Sequence, residues 1–162
     1  MHCAETKYGI LCAPDSMKYL IEHALYEDYE RLYVFTDVKG RTVADVGAFL
    51  GETSLMFARL GASKIYAVEP VFYDALVATV KLNKMSEVIT PIKKAIWYSN
   101  DVVGLNVSGM SSGGDVGDVY VETVTLGEFL TSYRPNLVKM DCEGCEWTIL
   151  TTDVNTLAIP EE

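Results

Sequence analysis

The segment 139–147 reads KMDCEGCEW and brings several reactive side chains together. Cys142 and Cys145 have the C-x-x-C spacing that occurs in zinc sites and in redox pairs. Three carboxylates stand among the same nine residues and could form the acidic rim of a small-molecule pocket. The residue types alone leave zinc, redox and acidic-rim chemistry open, so the choice depends on the elements that position the segment.

The composition limits the classes of partner. A chain of 162 residues, 49% of them hydrophobic, is long enough for a single domain with a continuous core. Thirteen Lys and Arg against 23 Asp and Glu give a net charge of −10, so nucleic acid is not expected as a partner. No window approaches the ~18 apolar residues of a membrane span, and the N-terminus lacks a signal-peptide pattern, so we expect no membrane span and a cytoplasmic location.

The four cysteines are too few and too unevenly placed for a disulfide framework. Cys3 and Cys12 are separated by eight residues, and the other two stand far along the chain. Reduced thiols are therefore expected. A zinc site would need a second C-x-x-C or a His pair at ligand spacing, and the sequence offers neither, so no metal is expected.

Short apolar runs alternate with amphipathic stretches after residue 41, which predicts an α/β fold with a mostly parallel, doubly wound sheet. The expected sheet order is third, second, first and fourth strand, with Pro91 placing the third strand at an edge. The predicted strands are Thr42–Val46, Lys64–Val68, Val88–Ile96 and Leu137–Met140, and the predicted helices are about Glu52–Leu60, Phe72–Leu82 and Glu143–Thr151.

The remaining segments add a lead-in and smaller elements to the one expected domain. Residues 1–41 are predicted to be a helical lead-in to a core of residues 42–162, because apolar residues recur at helical spacing over about Asp15–Leu32. Strands are predicted at 104–107 and 119–124, and a short helix begins at the T-x-x-E sequence of 125–128. The small residues of 111–115 predict a mobile loop.

Ligands of an open α/β sheet bind at the carboxyl ends of the strands, where the chain order reverses. The loop after the first strand, DVGAFLG, would need Gly at 49 and 52 to bind a dinucleotide, but Phe49 and Glu52 stand there, which disfavours a nucleotide-dependent oxidoreductase. Glu52 suits a cationic or zwitterionic ligand instead. Glu69 ends the second strand, where a carboxylate can accept both hydroxyls of an adenosine ribose. The plainer alternative is a pair of turn glycines and a solvated acid.

Two stretches resemble a known family. VADVGAFLGETSLMFARLGASKIYAVEP (43–70) resembles the first two motifs of class I, Rossmann-like S-adenosylmethionine-dependent methyltransferases. TVTLGEFL (123–130) and LVKMDCEGCEWTIL (137–150) are similar to the late signature of the FkbM methyltransferase family. The resemblance implies S-adenosylmethionine as cofactor and O-methylation of a sugar, lipid or secondary-metabolite hydroxyl, hence a small-molecule acceptor.

The resemblance also implies the positions that bind the cofactor. Phe49 and Pro70 belong to the implied cofactor-binding set through the two loops that contain them. The other implied contacts are Asp45, Gly47, Ala48, Gly51 and Thr53 at the methionine end, Glu69 at the ribose, Lys94, Ala95 and Ile96 at the adenine, and Asp141 at the mouth near the sulfonium.

Methyl transfer is an in-line displacement, so the protein mainly aligns the acceptor and supplies a base for its proton. Asp141 and Glu143, beside the sulfonium, and His23, on the first helix, are the candidate catalytic residues. Asp141 could equally be a cofactor contact without a catalytic role. Glu143 could be an acid in the first turn of the following helix, where the helix dipole favours negative charge. The polar face of the first helix, which is either an acceptor wall or a solvated surface, carries Tyr19, His23, Tyr26 and Glu30.

The chain stops soon after the helix that follows Asp141, whereas a full sheet of the resembled family has three more strands. We therefore expect a sheet without its last strands and an unpaired edge at the fourth strand. A homo-oligomer formed through that edge is expected. This feature keeps a second hypothesis open, namely a cofactor-binding or assembly domain without turnover.

Overall fold

The computed structural model of the chain describes residues 1–34, 36–108, 111–113, 118–152 and 154–157. No helix within these residues is long and apolar enough to cross a membrane. The strands are β1 His2–Thr6, β2 Gly9–Ala13, β3 Thr42–Val46, β4 Lys64–Val68, β5 Ile89–Ile92, β6 Ala95–Trp97, β7 Val102–Ser108, β8 Ser111–Gly113, β9 Val119–Thr125 and β10 Leu137–Met140. The α-helices are α1 Tyr19–Tyr26, α2 Tyr29–Tyr33, α3 Glu52–Arg59, α4 Tyr73–Leu82, α5 Leu126–Tyr133 and α6 Val154–Leu157, and 3-10 helices span Asp15–Met17 and Cys145–Thr151.

The central sheet has the order β10-β3-β4-β5, and its strands are all parallel. This is the predicted order of third, second, first and fourth strand, read from the other edge. Val43 of β3 joins one buried cluster, and Ala44 and Val46 join a second cluster, so both faces of the sheet are covered. The chain has the expected α/β, Rossmann-like doubly wound fold.

The register of the central sheet aligns its carboxyl ends. Met140, Val46, Val68 and Ile92 occupy successive partner positions across the four strands. The loops that follow these residues therefore leave the sheet on the same side, which is where an open α/β sheet binds its ligands.

The single strand predicted over 88–96 is divided between two sheets. β5 pairs with β4, whereas β6 pairs with β9 in a second sheet of order β6-β9-β7-β8. A tight turn separates them, because the Lys94 N–H donates to the Ile92 carbonyl at 3.0 Å. Pro91 lies in an edge strand, as its missing N–H predicts.

The N-terminal region contains a hairpin that the sequence did not predict. β1 and β2 pair antiparallel, and the Cys12 N–H donates to Thr79 Oγ1 of α4 at 3.0 Å. The long helix predicted over about Asp15–Leu32 is broken, because Glu27 is extended and the Tyr29 N–H donates to the Tyr8 hydroxyl. This contact starts α2 as a separate short helix.

All four cysteines are paired, which corrects the expectation of reduced thiols. The hairpin register places Cys3 opposite Cys12, and these two form one disulfide. Cys142 and Cys145 form the other, across a turn in which Glu143 and Gly144 have φ of 58° and 127°.

Two further predictions near the loops differ from the structure. The helix predicted over 143–151 is a 3-10 helix that begins at Cys145. The loop predicted over 111–115 contributes residues 111–113 to β8, while 114 and 115 lie outside the described residues, as do the last residues of the chain.

Candidate functional site

A cavity of about 340 Å³ lies at the carboxyl ends of the central strands. The predicted convergence of four loops is confirmed, because each of them contributes to the wall of this cavity. The contributing residues are Gly47 and Phe49 after β3, Glu69 and Pro70 after β4, Lys94, Ala95 and Ile96 after β5, and Asp141, Cys142 and Glu143 after β10.

Gly47 lets the ends of β3 and β10 approach each other. Its φ is +76°, and a Cβ at this position would collide with the Asp141 carbonyl oxygen. The N–H groups of Gly47 and Ala48 both donate to the Val68 carbonyl at 3.0 Å. The glycine loop is thus fixed against the ends of both neighbouring strands.

A buried ion pair supports the glycine loop from behind. Lys139 Nζ lies 3.0 Å from Asp45 Oδ1 and donates to the Gly47 carbonyl at 2.8 Å. Asp45 Oδ2 accepts hydrogen bonds from the hydroxyls of Thr53 and Ser54 at 2.6 and 2.7 Å. Sequence reasoning gave Lys139 no role, although its place in the K-M-D-C-E-G-C-E stretch was the available signal.

Three of the predicted cofactor positions do not line the cavity. Asp45, Ala48 and Gly51 are buried behind the wall, whereas Gly47, Phe49 and Thr53 belong to it. Asp45 is wholly engaged by Lys139 and two hydroxyls, so its part is to hold the loop in shape.

Glu69 is held in the wall by backbone donors. Its Oε1 accepts from the N–H groups of Val71 and Phe72 at 2.7 and 2.9 Å, and its Oε2 accepts from the Phe49 N–H at 3.1 Å. Burial raises the pKa of Glu69, and these N–H donors oppose that effect. A carboxylate has about four acceptor positions, so Glu69 keeps capacity for a ligand hydroxyl.

Glu52, the first residue of α3, is a buried carboxylate with an open acceptor. Only 5% of the residue is exposed, and it lines the cavity. The Tyr29 hydroxyl lies 3.5 Å from its Oε1, while its Oε2 has no hydrogen-bond partner among the described residues. Burial raises the pKa of Glu52 from its ordinary value of 4.5 to about 7.

Two tyrosines of α2 cover the carboxylates of the site, and sequence reasoning missed both. The rings of Tyr29 and Tyr33 are stacked, with centroids 6.3 Å apart. The Tyr33 hydroxyl donates to Asp141 Oδ2, and its ring lies 5.3 Å from Lys139 Nζ. Burial raises the pKa of both phenols, so they remain hydrogen-bond donors.

The polar face predicted for the first helix reaches the cavity through one residue only. Of the four expected residues, His23 lines the cavity and is exposed, whereas Tyr19, Tyr26 and Glu30 do not line it. The other lining residues from this region are Leu20 and Ala24 of α1, Glu27 after it and Leu32 of α2.

The segment after β10 presents one exposed acid and one acid engaged by backbone donors. Glu143 is exposed at the cavity. Glu146 accepts from the N–H groups of Cys142 and Gly144 at 2.7 Å each. Partial burial of Glu146 acts to raise its pKa, but the backbone donors outweigh it and the pKa is lowered. Within the described residues no cluster of three or more His, Cys, Asp or Glu could hold a metal ion.

A family model described as the methyltransferase FkbM domain matches residues 45–161, which is more than half of the chain. The chain belongs to the FkbM methyltransferase family. The resemblance read from the glycine loop and the K-M-D-C-E-G-C-E stretch is therefore confirmed. The N-terminal elements that supply Tyr29 and Tyr33 lie before the part of the chain that the FkbM model matches.

Individual relatives align over smaller parts of this FkbM family member. Protein arginine N-methyltransferase 6 of Danio rerio is 45% identical over 60 residues, which are 36% of this chain and 17% of that protein's length. The crystal structure of Arabidopsis thaliana protein arginine methyltransferase 10 aligns at 36% identity over 35% of this chain and 17% of its own, with a TM-score of 0.34. A crystal structure of PRMT6-SAH aligns at 23% identity over 48% of this chain and 25% of its own, with a TM-score of 0.41.

Proposed function

We propose that this chain binds S-adenosylmethionine in the cavity at the strand ends and forms the cofactor-binding core of a methyltransferase. The carrying observation is the charge of the buried groups. Asp45, Glu52 and Glu69 are buried carboxylates, and Lys139 is the buried ammonium beside them in the described part of the chain. When the three carboxyls are ionised, buried negative charge exceeds buried positive charge, and because buried charges require partners the site favours a cationic ligand.

The cavity also suits a ligand without phosphate groups. Lys139 is engaged by Asp45 and by the Gly47 carbonyl, so its ammonium is not directed at a ligand. Lys94 is 42% exposed and lies 3.7 Å from Glu122. S-adenosylmethionine carries a sulfonium and an ammonium but no phosphate, which matches an acidic wall without a basic cradle.

The residues of the wall fit the parts of this cofactor. Glu69 would accept the ribose hydroxyls, Ala95 and Ile96 with Lys94 would border the adenine, and Gly47 and Thr53 would border the methionine end. Phe49 and Pro70 would add apolar contact in the same wall. When bound, S-adenosylmethionine supplies an electrophilic methyl group.

The acids at the mouth of the cavity would accept the proton that the methyl acceptor loses. Asp141 and Glu143 stand where a base is needed, and Asp141 is oriented by the Tyr33 hydroxyl. His23 of α1 is the third candidate base and also lines the cavity.

We propose a hydroxyl of a sugar, lipid or other small molecule as the methyl acceptor. A second candidate acceptor is the guanidinium of a protein arginine. The relative from Danio rerio, an arginine N-methyltransferase by name, favours it, as do the exposed acids Glu27, Asp141 and Glu143 around the cavity.

Binding is tested by calorimetric titration of the chain with S-adenosylmethionine and with NAD. We expect saturable binding of S-adenosylmethionine that is lost in Glu69→Ala and retained in Glu22→Gln, a variant at an exposed position outside the cavity. Binding of NAD without binding of S-adenosylmethionine would contradict the proposal.

The acceptor is tested with S-adenosylmethionine labelled in its methyl group. A panel of polyhydroxyl compounds and a panel of arginine-containing peptides are incubated with the chain, and the position of the label is read by mass spectrometry. Label on oxygen supports the first acceptor class, and label on a guanidinium nitrogen supports the second. Cofactor binding without label transfer to either panel favours a cofactor-binding or assembly domain without turnover.

Two expectations about the protein in the cell stay predictions. A homo-oligomer through the β10 edge is testable by sedimentation at several protein concentrations. A cytoplasmic location is testable by fractionation, and the pairing of all four cysteines weighs against it, because disulfides are rare in the cytosol.

A further inference from the structure

Glu52 differs in its contacts from the other acids in and behind the cavity wall. Asp45 is satisfied by Lys139 and two hydroxyls, and Glu69 by three backbone N–H groups. Asp141 accepts from Tyr33, and Glu146 accepts from two backbone N–H groups. Two deeply buried carboxylate oxygens among these five acids, Asp45 Oδ1 and Glu52 Oε2, have no hydrogen-bond partner in the described residues. Asp45 Oδ1 is balanced by Lys139 Nζ at 3.0 Å, whereas Glu52 Oε2 has no ion pair in the described residues either.

We infer that Glu52 is the receptor for the α-ammonium group at the methionine end of S-adenosylmethionine. This inference rests on the proposed function. Glu52 and Thr53 are adjacent in the cavity wall, directly after the glycine loop that borders the methionine end. An open carboxylate oxygen accepts a hydrogen bond, which an ammonium can donate and a sulfonium cannot. The α-ammonium is thus the part of the cofactor whose chemistry matches Oε2.

The surroundings of Glu52 strengthen its preference for a cation. The titratable and charged groups that act on it are Tyr29 and Tyr33 from α2, Asp45 from β3, Glu69 after β4 and Lys139 from β10. Burial, Asp45 and Glu69 disfavour its charged form, while Lys139 favours it. A bound ammonium would favour the charged form further, so binding near neutral pH is coupled to release of the proton that Glu52 holds in the free chain.

The test compares two ligands in the wild type, Glu52→Gln and the exposed control Glu22→Gln. S-adenosylhomocysteine carries the amino-acid end, and 5′-methylthioadenosine carries the same thioether-linked adenosine without it. We expect Glu52→Gln to weaken S-adenosylhomocysteine binding by about 10- to 100-fold, the range for a hydrogen bond between charged groups, and to leave 5′-methylthioadenosine binding unchanged. The control should match the wild type for both ligands.

A second measurement uses the wild type itself. Calorimetric titration with S-adenosylhomocysteine near pH 6.5, in two buffers of different ionisation enthalpy, should report proton release that is absent for 5′-methylthioadenosine and absent in Glu52→Gln. Equal loss of both ligands in Glu52→Gln, or unchanged binding of S-adenosylhomocysteine, would overturn the assignment of Glu52 while leaving the proposed function standing. Failure of the wild type to bind either ligand would overturn the proposed function and this inference together.

Discussion

The buried carboxyl of Glu52 should make the chain less stable as the pH rises, and Glu52→Gln should remove that loss. Burial raises its pKa from 4.5 to about 7. Between about pH 4.5 and about pH 7 this carboxyl is ionised in the unfolded chain but still protonated in the folded chain. Rising pH therefore favours the unfolded chain over this range, and the free energy of unfolding falls. The loss levels off above that range. A shift of this size amounts to about 3 kcal/mol at alkaline pH.

The measurement is urea unfolding, followed by circular dichroism, of the wild type and Glu52→Gln between about pH 5 and about pH 8. The free energy of unfolding of the variant minus that of the wild type should grow by about 2.5 kcal/mol over this range. The difference between the two proteins is used because the pKa of Glu69 is also raised by burial and affects both curves. Glu22→Gln, at an exposed position, should show no such trend. A difference that does not change with pH would show that burial does not raise the pKa of Glu52 in the folded chain.

Three further changes have expected outcomes. Lys139→Met leaves Asp45 buried without its cation and should cost about 3 to 5 kcal/mol in urea unfolding; a loss below about 1 kcal/mol would mean that the pair contributes little. Gly47→Ala introduces a Cβ at positive φ against Asp141, so it should destabilise the chain by about 1 to 3 kcal/mol and abolish calorimetric cofactor binding, whereas unchanged binding would contradict the tight loop. Replacing Cys3 and Cys12 together by Ser should lower the free energy of unfolding by about 2 to 3 kcal/mol under non-reducing conditions, and identical urea curves would show that the closed loop adds no stability.

The central sheet was predictable because its strands are short apolar runs between turn residues. The bounds of β3, β4 and β10 match the prediction, since buried parallel strands have this local signature. The place of Glu69 in the cavity wall was predictable for the same reason, because the end of a parallel strand places its side chain at the edge where such sheets bind ligands.

The N-terminal half of the site was not predictable from local pattern. The hairpin of β1 and β2 is held by the contact of Ile10 with Asn83, which follows α4, and by that of Cys12 with Thr79 of α4, across 73 and 67 residues of sequence. Tyr33 reaches Asp141 across 108 residues, and Tyr29 reaches Glu52 across 23. Helical periodicity describes neighbouring turns and carries no information on such partners. It therefore predicted one continuous helix where the contact of Tyr29 with Tyr8 starts a second one.

The T-x-x-E capping sequence before α5 forms only one of the two hydrogen bonds that the motif predicts. Thr125 Oγ1 accepts from the Glu128 N–H at 3.3 Å, as the T-x-x-E pattern predicts. The Thr125 N–H donates to Asn100 Oδ1 instead of to the Glu128 carboxylate, because the second sheet brings Asn100 alongside. The helix start was predictable, whereas the partner of its second donor was set by tertiary structure.

A crystal structure of the chain with S-adenosylhomocysteine would show directly whether the cavity at the strand ends binds this cofactor. We expect one molecule in the cavity at the strand ends, with its ribose hydroxyls on Glu69 and its α-ammonium on Glu52 Oε2. A molecule bound elsewhere, or an empty cavity in crystals grown at saturating ligand, would contradict the account.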